Sequence, residues 1–311
     1  MAVTAHAFLG LRTWGKPVAS TIASIAQSGT NPSMYSLDGT TWTQETIDGN
    51  TWQAICYSKE KGIFVAVAAS GTNRVATSPD GITWTMRSAS EANGWDGICW
   101  SKEQSLFVAV AINGTHRVMT SPDGITWTNQ TASEANAWRA ICWSKEQSLF
   151  VAVASSGTHR VMTSPDGSTW TNQTAASASS WRGVVWSKEQ SIFVAVGSSA
   201  GMTSPDGSTW TTQTVPANGW TSVCWSSRKS IFVSVGGVNS VMTSPDGAAW
   251  TSQTAANSNS FVGVCESHNL GLFIAVSLTG SGNDVMTSPD GVSWTIRSNP
   301  SRAWFAVAAS G

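Results

Sequence analysis

Side chains that could bind a ligand recur at fixed positions of this sequence. A polar residue followed by arginine appears three times, as Asn73–Arg74, His116–Arg117 and His159–Arg160. Tryptophans recur with a similar spacing, at Trp95, Trp138, Trp181 and Trp220. Aromatic faces beside a few fixed hydrogen-bond donors are typical of surfaces that bind carbohydrates or polar groups of proteins. We therefore predict that these ten residues form one ligand-binding surface.

The pattern does not favour a metal or a cofactor. The repeated histidines have no third ligand beside them, whereas a zinc site needs three or four. The cysteines occupy one slot of the repeat, at Cys56, Cys99, Cys142, Cys224 and Cys265, and Val185 fills that slot in another copy. A slot shared by cysteine and valine is typical of a small buried apolar side chain. We predict five reduced thiols, no disulfide, and synthesis in a reducing compartment.

Acidic side chains give little support to catalysis. Outside the repeated positions, Glu266 stands where most copies have tryptophan, and Asp284 stands where three copies have arginine. A lone acid in an apolar slot can have a raised pKa, but these two fall at opposite ends of their unit and are not expected to share a site. Arg139 and Arg182 share a further slot, and we expect them to follow the repeat without converging on one pocket. The sequence predicts no catalytic residue and no enzyme.

One short phrase organises the whole chain. Ser-x-Asp-Gly-x-x-Trp occurs seven times at intervals of 40 to 44 residues, with its aspartates at Asp38, Asp80, Asp123, Asp166, Asp206, Asp246 and Asp290. Proline followed by Asp-Gly favours a tight turn, in which the carboxylate accepts hydrogen bonds from nearby backbone N–H groups. One carboxylate per turn is far fewer than the six to eight oxygen ligands that calcium prefers. We predict that these aspartates are structural.

The phrase resembles the Asp-box, or BNR, motif found on outer-strand turns of β-propellers. Sialidases are the enzymes known for this motif, and the resemblance would require an arginine triad, a tyrosine nucleophile and six blades. Tyr57 fills a slot that is tryptophan in other copies, such as Trp100 and Trp143, so we interpret it as a core residue. A sialidase-like glycoside hydrolase is therefore the least favoured alternative.

Each repeat contains four short strands, which we call A to D from the axis outwards. In one copy they are AWRAICWS, SLFVAVA, RVMTS and TWTNQT, and four strands in about 42 residues is the spacing of a propeller blade. The sequence predicts an all-β, seven-bladed β-propeller. The predicted complete blades are 52–88, 95–131, 138–174, 181–214, 220–254 and 261–298.

The two ends of the chain contribute to one further blade. Residues 17–46 contain strands B, C and D without A, and residues 304–311 contain an A strand alone. We predict that the N- and C-terminal segments close this blade jointly, so that residues 17–311 form one domain. Residues 1–16 are predicted to be a tail or an extra strand, without the pattern of a signal peptide.

The composition of the chain limits the classes of partner that are expected. Charged residues make up 11% of the chain and the net charge is −1, without a basic run, so neither nucleic acid nor an anionic membrane surface is expected as a partner. No apolar run reaches the ~18 residues of a membrane span.

Strand direction assigns the connections to two faces. The A–B corners and the seven Asp-Gly turns share one face, which we call the turn face. The D–A connections and B–C loops share the other, which we call the loop face and predict to be the binding face.

Similar repeats occur in tailed-phage virion proteins and in bacterial propeller lectins. The resemblance implies a non-catalytic virion structural or host-recognition protein that contacts glycans, virion proteins or a host surface, with a multivalent lectin as the alternative. The oligomeric state stays open.

Overall fold

A computed structural model describes residues 20–27, 29 and 32–310 of the chain. They form 28 strands, numbered β1 to β28 in chain order, in seven four-stranded antiparallel sheets arranged as the blades of a β-propeller. This confirms the predicted fold class. The described part of the chain contains no helix, and hence none with the length and apolarity that crossing a membrane requires.

The four strand positions are regular around the ring. The A strands are β28 (Trp304–Ala309), β4 (Trp52–Ser58), β8 (Trp95–Ser101), β12 (Trp138–Ser144), β16 (Trp181–Ser187), β20 (Trp220–Ser226) and β24 (Phe261–Ser267). The B strands are β1 (Ile22–Ala26), β5 (Ile63–Ala68), β9 (Leu106–Ala111), β13 (Leu149–Ala154), β17 (Ile192–Gly197), β21 (Ile231–Gly236) and β25 (Leu272–Ser277). The C strands are β2 (Ser33–Ser36), β6 (Val75–Ser78), β10 (Val118–Ser121), β14 (Val161–Ser164), β18 (Ala200–Ser204), β22 (Ser240–Ser244) and β26 (Val285–Ser288). The D strands are β3 (Thr43–Glu45), β7 (Thr85–Arg87), β11 (Thr128–Gln130), β15 (Thr171–Gln173), β19 (Thr211–Gln213), β23 (Thr251–Thr254) and β27 (Thr295–Arg297).

The first blade is closed by strands from both ends of the described chain. Strand β28 pairs antiparallel with β1, with Ile22 opposite Ala309 and Ser24 opposite Val307. The hydroxyl of Ser24 donates to the carbonyl oxygen of Ala306 at 2.9 Å. The predicted joint closure is therefore confirmed. The predictions for residues 1–16, and for 17–19 and 311 of the blade, lie outside the described residues.

The hydrophobic core lies in the gaps between blades. Strand β13 is buried on both faces because its side chains alternate between two gaps. Phe150 and Ala152 pack with Val108 and Val110 of the preceding blade, whereas Val151 points to the following gap. A continuous apolar strand thus serves two interfaces, as expected for a strand covered on both sides.

The Ser-x-Asp-Gly-x-x-Trp turn of each blade packs against the preceding blade. In one copy, Oδ1 of Asp166 accepts hydrogen bonds from the backbone N–H groups of Ser168 and Thr169, both at 2.8 Å. Partial burial alone would raise the pKa of Asp166, but these donors outweigh it and hold the pKa at about 2. Gly167 has φ +76°, and a Cβ there would lie 3.0 Å from Leu106 of the preceding blade. Both the backbone conformation and the close approach therefore require glycine.

The five cysteines are unpaired and partly buried. Burial raises the pKa of each thiol, to about 12 for Cys265, where the nearby carboxylate of Glu266 adds to the effect. A thiol with a raised pKa carries little of the thiolate that reacts with oxidants and metals. The structure gives these cysteines a packing role between A strands.

Candidate binding site at the mouth of the central channel

The four tryptophans predicted to stack on a ligand are buried. Trp95, Trp138 and Trp181 are 0% exposed and Trp220 is 1% exposed. The indole N–H of Trp138 donates to the carbonyl oxygen of Glu134, four residues earlier, at 3.1 Å. No ring face is left for a ligand, so the prediction of a stacking surface is wrong. The reason is that the first residue of strand A points into the gap between blades.

The predicted arginines connect one blade to the next. The Nε of Arg160 donates to the carbonyl oxygen of Gly157 in its own B–C loop at 3.1 Å. Its Nη1 donates to the carbonyl oxygens of Ala178 and Ser179, both at 2.7 Å, in the D–A connection that leads to the following blade. Equivalent bonds to the following connection are made by Arg74 and Arg117. These guanidinium groups are partly exposed, but their main contacts are structural.

The predicted histidines bind the D–A connection that leads into their own blade. Nδ1 of His116 lies 2.6 Å from Oε1 of Glu91, which belongs to the preceding D–A connection. The same carboxylate accepts from the backbone N–H of His116 and from the side-chain amides of Asn93 and Asn129. His159 and Glu134 repeat this arrangement one blade later. Asn73, in the matching place, accepts a longer bond of 3.4 Å from the hydroxyl of Ser88.

The Glu91 network predicts a pH-dependent contribution to stability. Partial burial alone would raise the pKa of Glu91, but the bonds from His116 and Asn93 outweigh it, and its pKa lies below the ordinary value of 4.5. A lowered pKa stabilises the fold above about pH 4.5, and this contribution is lost as pH falls through the folded-state pKa. We expect Glu91→Gln to lower the free energy of unfolding by about 1–2 kcal/mol at pH 7.

Urea denaturation of both proteins at pH 7, 5 and 3.5 measures this contribution. The difference between them should persist at pH 5 and be smaller at pH 3.5, which lies below the ordinary glutamate pKa of 4.5. A difference that grows between pH 5 and pH 3.5 would contradict the assignment.

The two acids that break the repeat also have structural partners. Asp284 is 0% exposed, and its carboxylate accepts from the backbone N–H groups of Gly280 and Gly282 and from the hydroxyl of Ser277. Glu266 accepts from the hydroxyl of Ser226 at 2.6 Å, on the turn face. The structure places them at opposite ends of their blade, as expected. Among the described residues, no three of histidine, cysteine, aspartate and glutamate come close enough together to hold a metal ion.

A different set of residues converges on the axis of the ring. Each A strand contains a β-bulge directly after its first aromatic residue; in β12 the pairing shifts between Trp138 and Ala140. A bulge leaves one residue unpaired and redirects its side chain. The seven bulged residues are Gln53, Asp96, Arg139, Arg182, Thr221, Val262 and Phe305, and all of them line one central cavity of about 430 Å³.

The cavity occupies the loop-face end of the central channel. The bulged residues are the second residues of their strands, so they lie next to the D–A connections, and Leu278 of a B–C loop completes the wall. Deeper in, the wall consists of small residues such as Gly97 and Gly183, followed by a ring of isoleucine and valine. The mouth is therefore the wide, polar part of the channel.

Three charged side chains meet at this mouth. Nη1 of Arg139 lies 3.3 Å from Oδ1 of Asp96, and its Nε donates to the hydroxyl of Ser155 at 3.1 Å. Burial raises the pKa of Asp96 to about 6, although the charge of Arg139 opposes this shift. Arg182, on the next blade, is exposed. The expectation that Arg139 and Arg182 would not converge is wrong, because a repeat position that faces the axis converges in a closed ring.

One slot of the sequence repeat carries a signal for this site. The slot after the first A-strand aromatic holds seven residues of six types, whereas the slot before it holds tryptophan or phenylalanine and the slot after it holds small residues alone. Side-chain identity that varies in an otherwise regular repeat points to a surface free of packing constraints. Only the bulge shows that this surface is the channel mouth.

Comparisons with known proteins identify the fold but not a family. No protein-family model matches the sequence, and no curated protein matches it. Among solved structures, virginiamycin B lyase from Staphylococcus aureus is 10% identical with a TM-score of 0.67, and the match covers 79% of this chain and 84% of that one. A chain of a nidogen/laminin complex is 9% identical with a TM-score of 0.58, and the match covers 94% and 98%.

A third similar structure is YCF48 bound to D1 peptide. It is 13% identical with a TM-score of 0.59, and the match covers 80% of this chain and 81% of that one. Identities this low show a shared propeller fold alone. Because these structures include both a lyase and proteins captured with partners, the fold by itself does not distinguish an enzyme from a binding module.

Proposed function

We propose that this protein is a non-catalytic binding or assembly module that contacts its partner through the loop face, around the mouth of the central channel. The observation that carries the proposal is the ring of bulged residues. Their side chains differ from blade to blade, lie outside the strand pairing and surround a cavity of about 430 Å³. That volume falls within the range of ordinary ligand-binding pockets.

The chemistry of the mouth favours binding over catalysis. General acid–base catalysis needs a titratable group within hydrogen-bond reach of the substrate and free to exchange a proton. Asp96 is the one acid among the residues lining this cavity, and it is paired with Arg139. The remaining lining residues are apolar side chains, amide or hydroxyl groups, and arginine.

We expect the partner to be a protein, with a glycan as the second candidate. The burial of the four tryptophans removes the main argument for sugar stacking, while YCF48 with D1 peptide and the nidogen/laminin complex are propellers found with protein partners. The resemblance of the repeats to tailed-phage virion proteins supports a structural or host-recognition role in a phage-type particle. A multivalent lectin is the second candidate, supported by the resemblance to bacterial propeller lectins.

Two variants with bulky residues on opposite faces of the same two blades test the proposal. Thr115→Trp with Thr158→Trp fills exposed tips of B–C loops, and Gln104→Trp with Gln147→Trp fills exposed A–B corners. Fluorescently labelled wild type is applied to a peptide array and a glycan array, and each saturable hit is measured again with both variants. We expect peptide hits that the loop-face variant loses and the turn-face variant keeps.

The other outcomes are equally informative. Hits confined to the glycan array and lost in the loop-face variant would favour the lectin. Hits lost in the turn-face variant alone would overturn the assignment of the binding face. An absence of saturable binding on both arrays would contradict a peptide- or glycan-binding module.

A further inference from the structure

The charges at the channel mouth are not balanced. Arg139 and Arg182 each contribute one positive charge, and Asp96 contributes the one carboxylate among the lining residues. Asp96 is bound to Arg139, whereas Arg182 has no hydrogen bond or ion pair with the residues that the structure describes. An arginine without a partner at the entrance of a cavity leaves a planar set of donors that matches a carboxylate or phosphate.

The surroundings of Arg182 strengthen its preference for an anion. Partial burial and the neighbouring charge of Arg139 both lower the pKa of Arg182, while Asp96 opposes them. A nearby like charge without a matching counter-charge is relieved when an anion binds.

The opposite side of the mouth is apolar. Val262 and Phe305 are the bulged residues of two neighbouring blades, and Leu278 lies beside them in the wall of the same cavity. Behind the bulged ring, a Cβ at Gly97 or Gly263 would lie 2.8 or 2.7 Å from a backbone oxygen of the next A strand, so glycine allows neighbouring A strands to approach closely there. A ligand that fits both sides has an anionic end and a short apolar group.

We propose that the channel mouth binds a carboxylate attached to a short apolar group, with Arg182 holding the carboxylate, Arg139 beside it, and Phe305, Val262 and Leu278 contacting the apolar part. This inference rests on the proposed function, because it names the ligand class of the same loop-face site. The carboxylate belongs either to a small organic acid or to the C-terminus of a peptide chain. Both present the same group to Arg182.

The test uses two acids and their neutral amides. Hexanoate and the peptide acetyl-Ala-Ala-Leu with a free C-terminus are titrated into the full chain by calorimetry, alongside hexanamide and the amidated peptide. The same titrations are followed by NMR through the arginine Nε–H signals. We expect saturable binding of at least one acid, with its amide at least tenfold weaker, and a shift of the Arg182 signal. The acid that binds more tightly identifies the source of the carboxylate.

A matched pair of variants locates the site. Arg182→Gln removes the free guanidinium, and Lys188→Gln makes the same change of charge in the same blade on the turn face. We expect Arg182→Gln to weaken binding of the acid by at least tenfold, as loss of a charge-assisted hydrogen bond does, and Lys188→Gln to change it by less than twofold. Both side chains are exposed, so melting temperatures should stay close to wild type.

Several results would overturn the inference. Equal binding of acids and amides would do so, and so would retention of acid binding in Arg182→Gln. Inorganic phosphate that binds as tightly as either acid would indicate attraction by charge alone. The inference and the proposed function can fail separately. If Arg182→Gln leaves array hits intact while the Thr115/Thr158 variant loses them, the loop face stands and the carboxylate site falls. If acids bind at Arg182 but the Thr115/Thr158 variant keeps every array hit, the carboxylate site stands and the proposal that array ligands bind through the loop face falls.

Discussion

A chain that ends at Ala303 should not form a stable monomer. The truncation removes β28, the inner strand of the first blade, and exposes the edge of β1 along with both neighbouring interfaces. Trp304 is 0% exposed, and burial of one tryptophan alone stabilises a fold by about 4–6 kcal/mol as an upper bound. Because whole domains are stable by about 5–15 kcal/mol, we expect aggregation or loss of the cooperative melting transition.

Size-exclusion chromatography and thermal denaturation followed by circular dichroism measure this effect. A chain that ends at Ser310 is the matched control, because it keeps β28 and the hydrogen bond from the backbone N–H of Thr21 to the Ser310 hydroxyl. A synthetic peptide of residues 299–311 should restore part of the transition when it is added to the truncated chain. An unchanged monomer and melting temperature after truncation at Ala303 would refute the closure of the ring through β28.

Replacement of Trp138 by alanine should destabilise the protein by about 3–5 kcal/mol, the usual cost of emptying a buried aromatic site. Trp138 is 0% exposed, packs between two blades, and has its indole N–H bonded to the backbone. Trp138→Phe should cost much less, because Phe261 fills the equivalent slot of another blade. Urea denaturation gives both free energies.

Trp143→Ala provides the comparison on the turn face. Trp143 is partly exposed, packs against Phe150 with ring centroids 4.4 Å apart and planes tilted by 51°, and donates to Glu103 of the preceding blade. We expect its loss to cost less than that of Trp138. If Trp138→Phe abolished ligand binding without changing stability, the indole would have a recognition role that its burial argues against.

The fold could be predicted because the turn motif and the hydrophobic pattern of the sequence both repeat with the period of one blade. Asp-Gly turns mark one end of each blade, and the continuous apolar B strands mark its centre. The isolated A strand after Ala303 had to pair somewhere, and β1 was the one B strand without an inner neighbour in sequence. Agreement between local turn chemistry and hydrophobic pattern is what makes such an inference reliable.

The candidate site was harder to predict from the sequence, because residue type does not reveal the exposure of a side chain. His116, Arg117 and Trp138 are residues often found in binding surfaces, yet here they mainly bind the D–A connections between blades. Conversely, Arg182 looked like one more repeated arginine. Its position depends on a bulge that shifts the strand by one residue, and one residue decides which way a side chain in a strand points.

The bulges also separate what keeps this protein folded from what it presents to its surroundings. A bulged residue contributes neither a regular ladder pair nor much of the core between blades, so the side chain at that position can change while the blade stays intact. Seven such positions, one per blade, face a common space. The side chains that line the channel mouth can therefore be replaced one at a time while the propeller that holds them stays intact.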